Sequence, residues 1–289
     1  MLAIYKKELR SSLYGMTGPV FIFVVLAVIG FFTASYHFKA GYATFEISVA
    51  DGAFWSLLFA PVLTMRSFTE ERRMKTDQLL YSLPITTTQI VLGKYLALIT
   101  VFAVPCVIMC AYPAIIAAFS TSAPNFALAY GAILAYFLLG CTVIAIGVFI
   151  SSLFESLVIC AIVNLAALIA LYFARSAAGS FSDSPLFTLA VFIILSALCA
   201  LVVYLAVKNY VIAGTVGGIL NICAVIVYLI NAELYTGLGA DIIGTLFIFT
   251  PVTAFAYNVF DITAFIYYIT AAALFVLFTV QSVEKRRWS

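Results

Sequence analysis

Charge is what this sequence has least of. Charged residues make up 9% of its 289 residues, where ordinary globular chains carry about a quarter, and a water-facing surface cannot be assembled from so few. A soluble globular protein is therefore excluded. Histidine is scarcer still: His37 is the single one, and with no acidic residue close to it in sequence a histidine-based nucleophile or metal centre is not expected. The six cysteines, Cys106, Cys110, Cys141, Cys160, Cys199 and Cys223, all fall inside apolar runs, which argues against a disulfide framework. Cys106 and Cys110 have helical i, i+4 spacing, but no His or acid stands near to complete a metal site. A phosphate-binding loop is also missing. Gly93-Lys94 looks like the end of one, yet Thr88 occupies the place of the required first glycine and Tyr95 that of the Ser or Thr, so this chain is not expected to hydrolyse nucleotide or to carry a cofactor.

What the sequence has in abundance is apolar length. Crossing the hydrocarbon takes about 20 apolar residues in a helix, and eight runs approach that size: Pro19 to Tyr36, Ile47 to Met65, Tyr95 to Phe119, Ala127 to Ile150, Leu157 to Ala174, Leu186 to Val207, Val211 to Ile230 and Ile262 to Val283. The second is the weakest because Asp51 lies inside it or marks its outer end. The expected fold is an all-α polytopic membrane bundle of about eight helices, one domain over residues 1–289. With the N-terminus in the cytoplasm, Lys6, Lys7, Arg10, Arg66, Arg72, Arg73, Lys75, Lys94, Lys208, Lys285, Arg286 and Arg287 lie inside and only Lys39 and Arg175 outside, twelve of fourteen basic residues, as the positive-inside rule requires. An even number of spans returns the basic tail to the same side.

Three segments fall outside the spans. Residues 1–15 place Leu2, Tyr5, Leu9 and Leu13 on one helical face with Lys6, Lys7 and Arg10 on its flank, the pattern of a helix lying in the inner interface. Gly15, Gly18 and Pro19 then break it. A cleaved leader is the competing reading, disfavoured by the length of its charged and apolar parts. Residues 231–261 on the outer side alternate apolar and polar character. Ile242 to Phe249 is too short to cross and Thr250-Pro251 interrupts it, so a re-entrant or interfacial segment packed on protein is expected. Residues 66–94 form the longest hydrophilic stretch. Glu71 with Lys75 and Arg73 with Asp77 are i, i+4 pairs that favour a helix, Thr69 is a suitable N-cap, and Thr76, Leu79, Leu80 and Leu83 line one face before Pro84 ends it. A second helix starting at Thr86, with Gln89 in capping-box spacing, runs through Gly93-Lys94-Tyr95 into the third span. The first of these helices is either a solvated connector or a docking surface, and its apolar face favours docking.

The deep polar residues are neutral. Asn164 and Asn221 read first as interhelical hydrogen-bond partners and second as polar contacts along a translocation path. Gly214 and Gly218 form a GxxxG, read as close helix packing. The lack of deep charge disfavours an ion-coupled carrier, and the poverty of catalytic groups disfavours an intramembrane enzyme. A membrane scaffold that transmits force or conformation to an outer partner stays open.

The segments "YKKELRSSL", "RSFTEERRMKTDQLLYSLPITTTQIVLGKYLA", "GCTVIAIGVFISSLFES" and "TVQSVEKRRW" together resemble the permease subunits of type-2 ABC exporters, most closely the branch containing gliding-motility permeases. The resemblance covers both ends and the first half of the chain. It implies a permease that pairs with a second copy or a similar permease in the plasma membrane of a bacterium, with both termini cytoplasmic. It implies separate ABC-type ATPase subunits that bind ATP and Mg, membrane lipids as surroundings and no nucleic acid. It also places Glu70, Glu71, Arg72, Thr76, Leu79, Leu80 and Pro84 in the coupling helix that docks on the ATPase, with Gly93 and Lys94 where the third span begins. The family's common core has six spans; the two further ones expected here fall within Leu186 to Ile230.

Overall fold

A computed structural model describes residues 1–39, 44–76, 85–119, 125–181, 185–207, 210–230, 235, 248, 249, 252 and 262–287. All regular structure among them is helical. By their packing the residues form two units, Met1–Ala170 with Ile248–Ser289, and Leu171–Phe247.

In the first unit α1 (Leu2–Tyr14) stops at Gly15, whose backbone turns extended. Helix α2 (Thr17–Ala34) then runs into a single π-turn, Ser35–Lys39. The second apolar run is not one rod. It is α3 (Phe45–Leu57) and α4 (Ala60–Thr64), parted at Leu58 and Phe59 because Pro61 at the head of α4 has no N–H to continue the ladder. Met65 leads directly into α5 (Arg66–Arg73). Helix α6 (Thr87–Met109) begins as its capping spacing predicts, with the Thr86 hydroxyl accepting from the Gln89 N–H at 3.3 Å. It carries Pro105 inside and gives way at Cys110 and Ala111 to α7 (Tyr112–Phe119). Asn125 caps α8 (Phe126–Leu153) by accepting from the Leu128 N–H. Helix α9 (Leu157–Phe181) follows after three residues, its part up to Ala170 belonging to this unit, and α12 (Ile262–Arg287) is the unit's last helix.

Helix α8 is the buried axis of this unit, and small residues let neighbours reach its backbone. A Cβ on Gly140 would fall on the Phe102 ring. That ring lies stacked against Phe137, with centroids 6.0 Å apart, and tilted against Phe21 and Tyr136 at 6.1 and 5.4 Å. A Cβ on Gly147 would meet Thr64 and, at 2.7 Å, the Asn164 amide. On another side α12 packs along α8 in the same direction. Thr142 donates to the Tyr268 carbonyl at 3.1 Å, Phe149 meets Phe275 and Phe278, and Ser152 donates to Ser282 at 3.0 Å. The order 142, 149, 152 against 268, 275, 282 makes the pair parallel.

In the second unit α10 (Pro185–Val207) and α11 (Tyr210–Ile230) pack as neighbours. The Ser196 hydroxyl donates to Asn221 Oδ1 at 2.8 Å, and Tyr235 receives the Thr188 hydroxyl on its carbonyl while its own hydroxyl donates to the Ala224 carbonyl. The GxxxG expectation finds no support among the described residues. Among the described residues nothing lies within 4 Å of a Cβ at Gly214 or Gly218, and the close approach falls at Gly217, 2.8 Å from the Ala200 Cβ. The reason is a difference of helix face: three residues on from Gly214 brings the chain round to α10, whereas four does not.

Among the described residues, four helices are long and apolar enough to cross a membrane, Thr17–His37, Thr87–Phe119, Phe126–Leu153 and Ile262–Arg287, with shorter apolar helices at Leu157–Phe173, Pro185–Ile194 and Gly217–Leu229. This is a helical membrane bundle, as composition requires. Of the 231–261 segment, Tyr235, Ile248, Phe249 and Val252 are described and buried. Phe249 meets Phe54, and the Ile248 carbonyl accepts the Tyr268 hydroxyl at 2.6 Å; the rest lies outside the described residues.

Candidate functional site: the loop end of the first unit

Helix α5, the start of α6 and the last turns of α8 and α12 come together at one end of the first unit. The first turn of a helix leaves backbone N–H groups without intrahelical acceptors, and here α8 supplies one. Ser151 Oγ accepts the N–H groups of Phe68 and Thr69 at 3.0 and 3.3 Å, while the Thr69 hydroxyl donates to the Ser151 carbonyl at 3.2 Å. Thr69 is therefore not the N-cap its position in the sequence suggests. It is fully buried in mid-helix, and its hydroxyl is used between helices. At the other end Lys75 takes φ 55°, with its N–H on the Arg72 carbonyl and the Thr76 N–H on the Glu71 carbonyl, the paired bonds of a Schellman stop. The helix predicted to continue toward Pro84 thus ends at Arg73, and Glu71 does not pair with Lys75.

Glu71 turns inward to Lys94 instead. Lys94 is 1% exposed at the head of α6, and its ammonium has every donor engaged: Glu71 Oε2 at 2.9 Å, Glu8 Oε1 at 3.0 Å and the Ser67 carbonyl at 2.5 Å, with the Phe68 ring centroid 5.0 Å away. Lys7 adds a pair to Glu71 at 3.3 Å. Three helices, α1, α5 and α6, meet at one nitrogen. A buried cation stripped of its acids costs on the order of 3 to 5 kcal/mol, so this node is a strong constraint on how the three helices sit. Gly93 makes the approach of α1 feasible, since a Cβ there would stand 3.3 Å from both the Ile4 side chain and the Met1 carbonyl. The face of α1 turned to α6 is Ile4, Tyr5 and Glu8, with the Tyr5 hydroxyl 3.0 Å from that of Thr100. Leu2 and Leu13 of the apolar stripe stay exposed.

Arg72 is buried at 7% exposure beside Cys160, Glu70 is half-buried, and Arg73, Met74, Lys75 and Thr76 face outward. Leu79, Leu80 and Pro84 lie outside the described residues. The tail closes the same end: Arg286 pairs with Glu155 at 3.2 Å and Arg287 Nη1 donates to the Ile85 carbonyl at 3.4 Å. Of the two deep asparagines, Asn164 is 1% exposed and donates to Thr64 at 2.9 Å, with its Oδ1 unpartnered, and Asn221 is half-buried on Ser196. Both serve as interhelical partners here. Among the described residues no three His, Cys, Asp or Glu side chains gather as a metal site would require. Sequence reading placed Glu71 on the loop and Lys94 at the span's beginning without joining them, and it did not single out Glu8 or Ser151. The one signal was a lysine inside an apolar helix, since a buried cation must find acids.

Fold and site together define a polytopic membrane protein whose longest polar stretch is anchored onto the bundle at α5 and at the head of α6. Residues 38–185 match the ABC-2 family transporter protein family. That is more than half of the chain, and the chain belongs to this family of transporter permeases. The matched stretch runs from the π-turn through α9 and holds α5 and Lys94; α1 and Glu8 precede it. No curated protein and no solved structure matches the chain.

Proposed function

We propose that this chain is the membrane-spanning permease of an ABC exporter, acting as a pair of permeases that bind two separate ATPase subunits. The reading is supported most by the family match joined to one feature of the site: the polar connector after the second apolar segment is fastened to the bundle by α5, with Arg73, Met74, Lys75 and Thr76 presented outward. A load applied at such a connector reaches the spans, whereas one applied to a loose loop is absorbed. The docking contacts fall on residues 74–86, including Leu79, Leu80 and Pro84, while Glu71 and Arg72 serve inside, joining that surface to the bundle. ATP and Mg belong to the partner. In this reading both termini are cytoplasmic in the plasma membrane of a bacterium, and the sequence motifs resemble those of the gliding-motility branch. Mechanistically, closure of the ATPase pair displaces the two connectors and shifts the spans between inward- and outward-open arrangements.

The cargo in this reading is apolar or amphipathic. A path lined by aromatic and aliphatic side chains offers a small ion no replacement for its hydration shell. The free Oδ1 of Asn164 and the amide of Asn221 are the polar contacts it would offer if α9 and α11 line it. Copurification with a coexpressed ABC ATPase tests the partnership, and ATP turnover of the reconstituted complex against lipids, amphipathic peptides and inorganic ions tests the cargo. Retention of the ATPase with stimulation by lipids or peptides is expected. Stimulation confined to ions, with their uptake into inside-out vesicles, would defeat the cargo class. Retention without stimulation by any of these would favour a force-transmitting role instead.

A further inference from the structure

We propose that Lys94 is a positioning residue that makes α1 part of the moving machinery: by bridging Glu71 and Glu8 it joins the connector helix and the N-terminal helix to the head of α6, so that all three shift as one body when the connector is displaced. This rests on the ATPase-driven reading above. The structural case comes from how the ammonium is surrounded. A lysine placed only for packing or topology would extend its nitrogen to water. Lys94 is 1% exposed, and its donors are divided among two acids on different helices and the Ser67 carbonyl, 2.9, 3.0 and 2.5 Å away. Glu8 and Glu71, at 17% and 16% exposure, are turned toward it. Helix α1 packs along α6 and also touches α2. Ile4 is its one buried side chain, seated on Gly93, and Tyr5 reaches Thr100. Lys7 also pairs directly with Glu71, so the direct α1–α5 pair and the bridge through Lys94 share that acid. In a low-dielectric site such charge-assisted bonds are short and strong, so parting them is costly and displacement of one helix carries the others with it.

The test uses the full permease with its bound ATPase, since Glu8→Gln and Glu71→Gln each leave Lys94 one acid and preserve the fold. Probes at exposed Ser11 and Arg73 report the α1–α5 distance by electron-spin resonance, and ATP turnover is read as the factor by which the permease changes the rate of the ATPase alone. In the unaltered chain the Ser11–Arg73 distance should be the same with and without ATP. In Glu8→Gln the ATPase should stay bound, the distance should become nucleotide-dependent, and the permease's effect on turnover should fall about tenfold, inside the roughly 5- to 150-fold range of ordinary couplings. Glu8→Gln should add nothing in a Lys94→Met background, because both act through one nitrogen. A nucleotide-dependent Ser11–Arg73 distance in the unaltered chain, or an unchanged turnover effect in both glutamine variants with the ATPase retained, overturns the proposal. If the unaltered chain retains no ATPase, the reading beneath it fails first and the proposal falls with it.

Discussion

Single atoms decide how closely the helices of the first unit approach. Gly140 and Gly147 stand one full heptad apart on α8, and each is the floor of a groove filled from another helix, by Phe102 at the first and by Thr64 with Asn164 at the second. The Phe102 ring is fully buried among three other aromatic rings, so it cannot swing aside as a flexible chain end could. Gly140→Ala is expected to lower stability by about 1 to 3 kcal/mol, the usual cost of overpacking, seen as a lower unfolding midpoint in detergent or nanodiscs. Adding Phe102→Leu should recover much of the loss by vacating the space. A midpoint unchanged in the single variant would mean that α6 and α8 lie farther apart than described. The same reasoning separates Gly140 from Gly214, which has open space beside it; sequence alone ranks the two alike.

Helices behave according to what meets their ends. Helix α5 is short because its first turn is capped by Ser151 from α8 and its last turn is stopped at Lys75, a non-glycine residue in the left-handed region. The connector's outward surface therefore begins at Arg73. Replacing Leu79 and Leu80 together with Asp should weaken ATPase association by a few kcal/mol, since each large apolar side chain is worth roughly 1.5 to 3 kcal/mol on burial. Membrane insertion should be normal. The observation behind this is the helical register of those leucines in the sequence, and a well-expressed double variant that retains the ATPase at the original level would remove them from the docking surface. Much of the fold was legible in advance, because long apolar runs, the Thr86 cap and Leu157 as a helix start depend on local chemistry that a sequence carries openly. The site was legible only in outline. Glu71 has a nearby lysine at i+4 and local reasoning joins them, yet Lys94, far along the chain, wins because it is buried and must be neutralised. The break at Leu58 was equally hidden: Pro61 announces a weak point, but only packing decides between a kink and a fresh helix.

At the scale of the whole chain, the parallel packing of α8 and α12 constrains how often the backbone crosses. A chain that leaves α8 at one end and enters a parallel helix at the other must cross an odd number of times between them, and α9, α10 and α11 are three apolar helices available for it. The expected count of eight spans, with the broken α3–α4 segment and α6–α7 each counted once, has this parity. A direct contact supports the same sidedness: Arg287 donates to the Ile85 carbonyl, so the tail and the connector share one side whatever the total. Helix α8, with 28 residues, is about 42 Å long at 1.5 Å per residue, enough to separate Asn125 at its start from that side by a full hydrocarbon core of about 30 Å. Single cysteines at Arg73, Arg287 and Asn125, in an otherwise cysteine-free chain, should therefore divide two against one. An impermeant thiol reagent should reach the Asn125 position in intact cells and the other two only after permeabilisation, because twelve of the fourteen basic residues fall on the side assigned to the cytoplasm. Labelling of Arg73 and Arg287 but not Asn125 in intact cells would invert the protein and remove its connector from any cytoplasmic ATPase. Labelling of only one of the two arginine positions would contradict the contact that joins them.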